Sequence, residues 1–154
     1  MGRGVTETDC VFCDIVAGEA DALVVDERDG GDGRPGTLAF APLHPVAPGH
    51  VLVIPKAHYE SLFDVPEEAL GAVMAHVRSL ARRMRHENSD GRGFDGVNVL
   101  NDSTAYQSVP HLHMHLVGRR EDDPDLLPGA EHEVSRRDAY DAVSVALDDD
   151  RTRG

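Results

Sequence analysis

The stretch HLHMHLV, residues 111–117, places three histidines in strict alternation with apolar residues. Side chains of a β-strand alternate between its two faces, so the pattern predicts a strand with all three histidines on one face. These histidines are His111, His113 and His115. The opposite face carries Leu112, Met114 and Leu116. One face is therefore expected to pack on a helix, and the other is left for solvent or a functional site.

The three histidines are not expected to bind a single metal ion together. Positions two apart in a strand are separated by about 6.6 Å, and positions four apart by about 13 Å. Zinc takes nitrogen ligands at about 2.0–2.1 Å, so the outer pair would need a sharp bulge. At most two of the three share an ion on this argument. A polar strand face with satisfied histidines and an ion held by the histidines themselves are the alternatives.

The segments around this stretch predict an α+β fold with a five-stranded antiparallel sheet. The other four strands are expected at residues 22–27, 37–41, 50–55 and 94–101. The segment CVFCDIVAGEA, residues 10–20, predicts a short N-terminal helix that ends near Gly18.

One long helix is expected between the third and fourth strands. Asp64, with Glu67 three residues later, has the spacing of a capping box. An apolar stripe with helical spacing follows, comprising Leu70, Val73, Met74, Val77, Leu80, Ala81 and Met84. His76 and His86 fall on or near the face predicted to be exposed, and no role is expected for them.

Composition bounds the domain organisation and the classes of partner. The chain has 154 residues and a formal net charge of −13, with Lys56 as its single lysine. Such a charge repels nucleic acid, and no apolar run approaches the roughly 20 residues that span a bilayer. No signal peptide is recognisable, so a cytoplasmic location is expected. We expect a flexible tail at 1–9, a domain at 10–120 and an acidic extension at 121–154 that could form a helix.

The only two cysteines form a CxxC pair, Cys10 and Cys13. They could be a disulfide, two free thiols, a redox pair or half of a tetrahedral zinc site. A zinc site needs two further ligands, and His58 and one histidine of residues 111–117 are available if the fold brings them together.

Three segments resemble the histidine triad (HIT) superfamily in its own order: CVFCDIVAGE, PVAPGHVLVIPKAHYESL and QSVPHLHMHLV. The last satisfies the family's motif of three histidines alternating with apolar residues. The resemblance covers roughly residues 10–120. It implies a homodimer whose sheets join, and a nucleotide hydrolase or nucleotidyl transferase acting at the α-phosphate of a small-molecule nucleotide. A catalytically weak, zinc-stabilised nucleotide-binding module is the alternative.

The resemblance also assigns roles to individual residues. His113 would be the nucleophile that forms a nucleotidyl-histidine, while His115 and Ser108 would contact the phosphate or the leaving group. Asn101 and Gln107 would lie at the nucleotide. A structural zinc ion would be held by Cys10, Cys13, His58 and His111.

Two positions depart from the family pattern. Many members carry an aspartate that binds ribose hydroxyls where this chain has Pro42, which lacks a carboxylate. The glycine that often precedes Gln-Ser is Tyr106 here. A bulky residue at that place is expected to narrow the pocket or to stack on a base. The base, the leaving group and the mode of ribose binding do not follow from the sequence.

Overall fold

The computed structural model describes residues 10–85, 93–123 and 134–153. In chain order its elements are α1 (Val11–Val16), β1 (Val24–Arg28), β2 (Thr37–Phe40), β3 (Gly49–Pro55), α2 (Glu67–Met84), β4 (Gly96–Leu100), β5 (Met114–Arg119) and α3 (Arg136–Arg153). This order confirms the predicted α+β class, with a long helix after the third strand and a short N-terminal helix. The predicted tail at residues 1–9 and His86 lie outside the described residues.

The five strands form one antiparallel sheet in the order β1-β2-β3-β5-β4. β3 and β5 are neighbours, although α2 and β4 separate them in sequence. Leu52 pairs with His115, and Val53 pairs with Met114. This register puts the second half of the histidine stretch beside the most apolar strand of the sheet.

Strand β3 is buried along its whole length and divides its side chains between two apolar clusters. Val51 and Val53 point to the face covered by α2 and α3. Leu52 and Ile54 point to the opposite face, where they pack with Cys10 and residues of α1 and β2. A strand buried on both faces has a continuous apolar run, which explains the sequence VLVI.

Helix α2 packs its predicted apolar stripe on the sheet, together with Met114 and Leu116 of β5. The buried members are Val73, Val77, Leu80 and Met84. Met74 was also assigned to the stripe but is 38% exposed, so the buried stripe is narrower than predicted.

The predicted capping role of Asp64 is wrong. The helix begins two residues later than that cap requires, with Pro66 at the N-cap position. The Asp64 carboxylate instead accepts hydrogen bonds from the backbone N–H groups of Glu60 and Ser61. These bonds close the turn that precedes the helix and lower the pKa of Asp64 against the opposing effect of burial.

His76 on α2 is fully buried, contrary to the exposed position predicted for it. Its Nδ1 atom lies 2.7 Å from the Thr37 hydroxyl, and its Nε2 atom lies 2.8 Å from the Asp26 carboxylate. Burial lowers the pKa of His76, Asp26 opposes that effect, and Arg28 and Arg83 add to it. Because both ring nitrogens have partners, the helix can bury this polar side chain against β1 and β2.

Helix α3 lies on the same face of the sheet as α2 and contacts β1, β3 and α2. Its buried residues are Ala139, Val143, Ala146 and Leu147. Three of these four are small or β-branched, which allows the helix to approach the sheet closely. The predicted domain boundary at residue 120 stays a prediction. Among the described residues no helix is long and apolar enough to cross a lipid bilayer.

The ring of Phe94 lies over two glycines that face each other across β3 and β5. Gly49 and Gly118 are register partners. A Cβ atom on Gly118 would lie 2.6 Å from Cγ and Cδ2 of Phe94, and one on Gly49 would lie 2.8 Å from its Cζ. The Arg120 guanidinium lies 4.4 Å from the centroid of the same ring. Glycine is therefore needed at both positions for the ring to approach the backbone.

Candidate active site

The histidine stretch is a strand only in its second half. β5 begins at Met114, so the predicted strand at 111–117 starts too early. β3 continues to Pro55, two residues past Val53, the partner of Met114, and the Pro55 carbonyl accepts a hydrogen bond from the side chain of His111 (Nε2–H, 2.9 Å). The backbone of Leu112 is held by the Tyr59 carbonyl at 2.7 Å.

The three histidines lie on the face of the sheet opposite α2, as the alternation predicts, and Phe12 of α1 contacts His111 and His113. His111 is 0% exposed and His113 is 2% exposed, whereas His115 is half-buried. The Phe12 ring of α1 meets the His113 ring edge-on, with centroids 5.2 Å apart, and also contacts His111 and Phe40. The histidine face is therefore a largely buried site, with Phe12 packed against two of the rings, and not a solvent-exposed surface.

The structure brings together the four residues that the resemblance implied as metal ligands. Cys10, Cys13, His58 and His111 each direct one ligand atom into a space in which all four atoms lie within 4.8 Å of one another. Nδ1 of His111 lies 3.4 Å and 3.6 Å from the two sulfur atoms and 3.2 Å from Nδ1 of His58. The cysteines are free thiols, so the disulfide alternative is wrong for this structure.

These separations fit a tetrahedral zinc site. Tetrahedral angles with zinc bond lengths of about 2.0–2.1 Å to nitrogen and about 2.3 Å to sulfur give ligand separations of about 3.3 Å between nitrogens, about 3.6 Å between nitrogen and sulfur and about 3.8 Å between sulfurs. The hydrogen bond from His111 Nε2–H to a carbonyl leaves the Nδ1 lone pair free and aimed at the cluster. Burial lowers the pKa of His111 to about 4, which keeps the ring neutral as a metal ligand requires.

The hydrogen bonding of His113 fixes which ring nitrogen can react. Its Nδ1 atom lies 2.7 Å from the backbone carbonyl of His111, and a carbonyl only accepts, so Nδ1 carries the proton. Burial lowers the pKa of His113, which favours the neutral ring. Nε2 therefore holds a lone pair. This Nε2 atom has no hydrogen-bond partner among the described residues. It is also not fully buried, so it keeps some access to solvent.

His50, which the sequence analysis did not place in the site, fixes the tautomer of His115. The backbone N–H of Val46 donates to His50 Nδ1 at 3.0 Å, so the proton of the neutral His50 ring is on Nε2. That Nε2–H lies 2.9 Å from His115 Nδ1 and donates to it. His115 then carries its own proton on Nε2. Burial, with His115 and His113 nearby, lowers the pKa of His50 to about 3, so its ring is neutral at pH 7.

The site thus presents two adjacent rings with opposite functions. His113 offers a lone pair at Nε2 and His115 offers an N–H at Nε2, and their centroids are 5.1 Å apart. Burial and His113 lower the pKa of His115, while the charge of Asp102 opposes this effect on both rings. A nucleophile beside a hydrogen-bond donor can attack an electrophile and stabilise the negative charge that develops on it.

The loop before the histidines carries the remaining predicted site residues. The Asn101 side-chain amide donates to the His113 carbonyl at 3.0 Å. Gln107 bonds through both ends of its amide, donating to the Glu60 carbonyl and accepting from Thr104 N–H. Ser108 is exposed. Asn101 and Gln107 therefore shape the loop, and their contact with a nucleotide stays a prediction.

Lys56, at the end of β3, is held by acidic residues of the β1 region. Its ammonium group pairs with Glu27 and, at 3.0 Å, with Asp29. A phosphate would have to compete with both carboxylates for this lysine.

Comparison with known proteins identifies a family for this arrangement. The HIT domain family model matches residues 33–122. The chain is 34% identical over 122 residues to the adenosine 5'-monophosphoramidase HNT1 of Saccharomyces cerevisiae, covering 78% of this chain and 68% of that protein. It is 32% identical over 119 residues to the adenylylsulfatase HINT3 of Arabidopsis thaliana, covering 76% of this chain and 55% of that protein.

A solved structure shares the fold over nearly its whole length. It is a zinc-bound histidine triad family protein from Mycobacterium smegmatis, with a TM-score of 0.76 and 31% sequence identity. The alignment covers 96% of this chain and 99% of that chain.

Proposed function

Because the chain belongs to the histidine triad (HIT) family, we propose that it is a nucleotide-binding hydrolase or nucleotidyl transferase acting at the α-phosphate of a nucleotide. The substrate class is a nucleoside monophosphate joined to a leaving group by a phosphoramidate or phosphoanhydride bond. The names of two relatives, a phosphoramidase and an adenylylsulfatase, support nucleotide hydrolysis of this kind.

The observation that carries the proposal is the protonation pattern of the two rings. The hydrogen bond to the His111 carbonyl holds the proton of His113 on Nδ1, and this leaves Nε2 as a nucleophile at neutral pH. His50 holds the opposite tautomer on His115, whose Nε2–H can donate to a phosphate oxygen. This donor matters because phosphoryl transfer concentrates negative charge on those oxygens.

The reaction proceeds in two displacements. In the first, Nε2 of His113 attacks phosphorus and forms an N–P bond, while the bond to the leaving group breaks and the leaving group takes that electron pair and a proton from solvent. In the second, water attacks phosphorus and gives up a proton, the N–P bond breaks, and His113 returns to its neutral form. Ser108, which is exposed in the loop before His111, is the proposed contact to the phosphate or leaving group.

We assign a structural role to zinc. The ion would be held by Cys10, Cys13, His58 and His111. It would cross-link the N-terminal segment at α1 to the histidine stretch. His111 is the only member of the triad in this cluster, so His113 stays free of metal. Two reduced thiols as ligands suit the predicted cytoplasmic location.

We also propose that the protein is a homodimer whose sheets join at β4. This strand is an edge of the sheet, and its Val99 and Leu100 side chains are 44% and 56% exposed. An edge strand with exposed apolar side chains is an aggregation liability unless it pairs. In a dimer with two-fold symmetry, β4 of one copy would pair with β4 of the second copy.

One observation favours the alternative of a binding module that has lost catalysis. Only 2% of His113 is exposed, and Phe12 packs against its ring. Turnover requires phosphorus to reach Nε2, and this burial restricts the approach of a substrate to that atom.

The test is single-turnover hydrolysis of an adenosine 5'-phosphoramidate, followed by acid quench and detection of phosphohistidine. We expect turnover by the native protein, an adduct on His113, and neither with His113→Ala. Full turnover by His113→Ala would refute the mechanism. Tight nucleotide binding without turnover or adduct would favour the binding module.

A further inference from the structure

Two loops beside the histidines hold large apolar side chains open to solvent. In the loop after Tyr59, Phe63 is 80% exposed and Leu62 is 44% exposed. In the loop before the histidines, Tyr106 is 86% exposed. Aromatic rings left open next to a reactive centre bury a large area when a ligand covers them.

The first link between these loops and the reactive ring is a chain of hydrogen bonds. The backbone N–H of Leu62 donates to the Ser103 hydroxyl at 2.9 Å, and that hydroxyl donates to the Asn101 side-chain oxygen at 2.7 Å. The amide of Asn101 donates to the His113 carbonyl at 3.0 Å. The backbone that carries Leu62 and Phe63 is therefore linked to the backbone of the nucleophile by three hydrogen bonds.

A second link fixes the position of Tyr106. The neighbouring Gln107 donates to the Glu60 carbonyl and accepts from Thr104 N–H. Thr104 has a left-handed backbone with φ of 64°, which makes the tight turn just before Tyr106. Both loops are thus tied together at their tips.

We propose that Tyr106 and Phe63 form the leaving-group subsite, and that it favours an aromatic amine as leaving group. The proposal rests on the proposed function. An in-line displacement sends the leaving group away from phosphorus on the side opposite the attacking nitrogen. Tyr106 lies two residues before Ser108, the proposed contact at that end of the substrate.

The charge of the chain narrows the class of leaving group. The formal net charge of −13 disfavours a leaving group that departs as an anion. An amine is neutral in the substrate and cationic after release, so the same field does not oppose it. An exposed tyrosine ring attracts both an aromatic group and a cation.

The test compares three adenosine 5'-phosphoramidates whose leaving groups are ammonia, 2-cyclohexylethylamine and 2-phenylethylamine. The last two have similar bulk, so the ratio of their kcat/KM values isolates the aromatic ring. We expect the native protein to favour the phenyl compound by about threefold to tenfold, the size of an aromatic pair contact.

The variants test which side chains cause this preference. Tyr106→Phe should keep the ratio, and Tyr106→Ala and Phe63→Ala should bring it close to one. Val145→Ala, an exposed apolar residue on α3, is the matched control and should behave as the native protein.

The outcomes separate this proposal from the proposed function. A native ratio near one, or a ratio that survives Tyr106→Ala, overturns the subsite while hydrolysis of the ammonia compound leaves the function in place. Absence of native turnover on all three compounds overturns both. Sedimentation of Tyr106→Ala adds a further check, because loss of the native oligomer would identify this ring as a contact between copies of the chain.

Discussion

Replacing His50 by alanine tests the tautomer argument on which the proposed chemistry depends. His50 Nδ1 accepts a hydrogen bond from Val46 N–H, and His50 Nε2–H donates a hydrogen bond to His115 Nδ1. Without that donor, His115 can move its proton to Nδ1. The Nε2 atom that should donate to a phosphate oxygen then presents a lone pair to it.

The expected loss follows from the type of bond removed. A hydrogen bond to a charged group contributes about 1.5–3 kcal/mol. If His115 makes that bond mainly in the transition state, kcat falls by about 10- to 150-fold, with a smaller change in KM. His50 is 3% exposed, so some loss of stability accompanies the change. Activity is therefore compared at a temperature where both proteins are folded.

Two measurements check this prediction. Steady-state hydrolysis of an adenosine 5'-phosphoramidate gives kcat and KM, and nitrogen-15 NMR of the histidine rings reports the tautomer of His115 directly. His76→Gln is the control, since it alters a buried histidine on the opposite face of the sheet and should change kcat by less than about twofold. The reasoning is refuted if His50→Ala keeps the Nε2–H tautomer of His115, or keeps native kcat.

Three further predictions concern the metal cluster, the buried network on α2 and the glycine pair. Metal analysis should find zinc in the native protein and in His113→Ala but not in Cys10→Ala, and the reverse pattern would place the ion on the triad. Because burial lowers the pKa of His76 below the unfolded value of about 6.5, stability should fall as pH drops below about 6.5. Urea unfolding should show a shallower fall for His76→Gln, and an unchanged slope would contradict this. Gly118→Ala should cost about 1–3 kcal/mol in urea unfolding because its methyl group meets Phe94, and Phe94→Leu in the same chain should recover part of that loss.

The fold was predictable because its periodic patterns are strong. The alternation in residues 111–117 and the helical spacing in α2 gave the correct element types, and the apolar run of β3 gave a strand buried on both faces. The exact start of β5 was not predictable. It depends on tertiary contacts of the preceding backbone, such as the hydrogen bond from Leu112 N–H to the Tyr59 carbonyl, whose partner lies in a loop far away in the sequence.

His76 shows a limit of periodicity. On a helix, a histidine beside an apolar stripe is counted as polar and assigned to solvent. The partners that allow its burial, Asp26 and Thr37, lie on two strands about 40–50 residues away, and only the packed structure brings them to its two nitrogens. No local signal marks such a pairing.

The sequence named candidate reactive residues, whose roles stay predictions, but it did not reveal the contacts that support them. Spacing left half of a zinc site as one of several alternatives for Cys10 and Cys13, with His58 and one histidine of residues 111–117 as available ligands, and the resemblance to the family supplied the complete set with His111. His50 has the same alternation parity as Leu52 and Ile54, which places it on the site face of β3. Its contact with His115 also requires the register between β3 and β5, and an isolated sequence does not contain that information.

The two faces of the sheet show how hydrogen bonding separates a structural histidine from a reactive one. On the helix face, His76 is bonded at both ring nitrogens, so it can neither donate to nor attack a ligand without breaking the core. On the other face, His113 and His115 each have one nitrogen bonded by the protein, and the bonded nitrogen determines the state of the other. Burial alone does not distinguish them, since His76 and His113 are both nearly inaccessible. The assignment of chemistry to His113 and His115 therefore depends on their remaining nitrogens, and a nucleotide complex in which either nitrogen bonds only to protein would remove its basis.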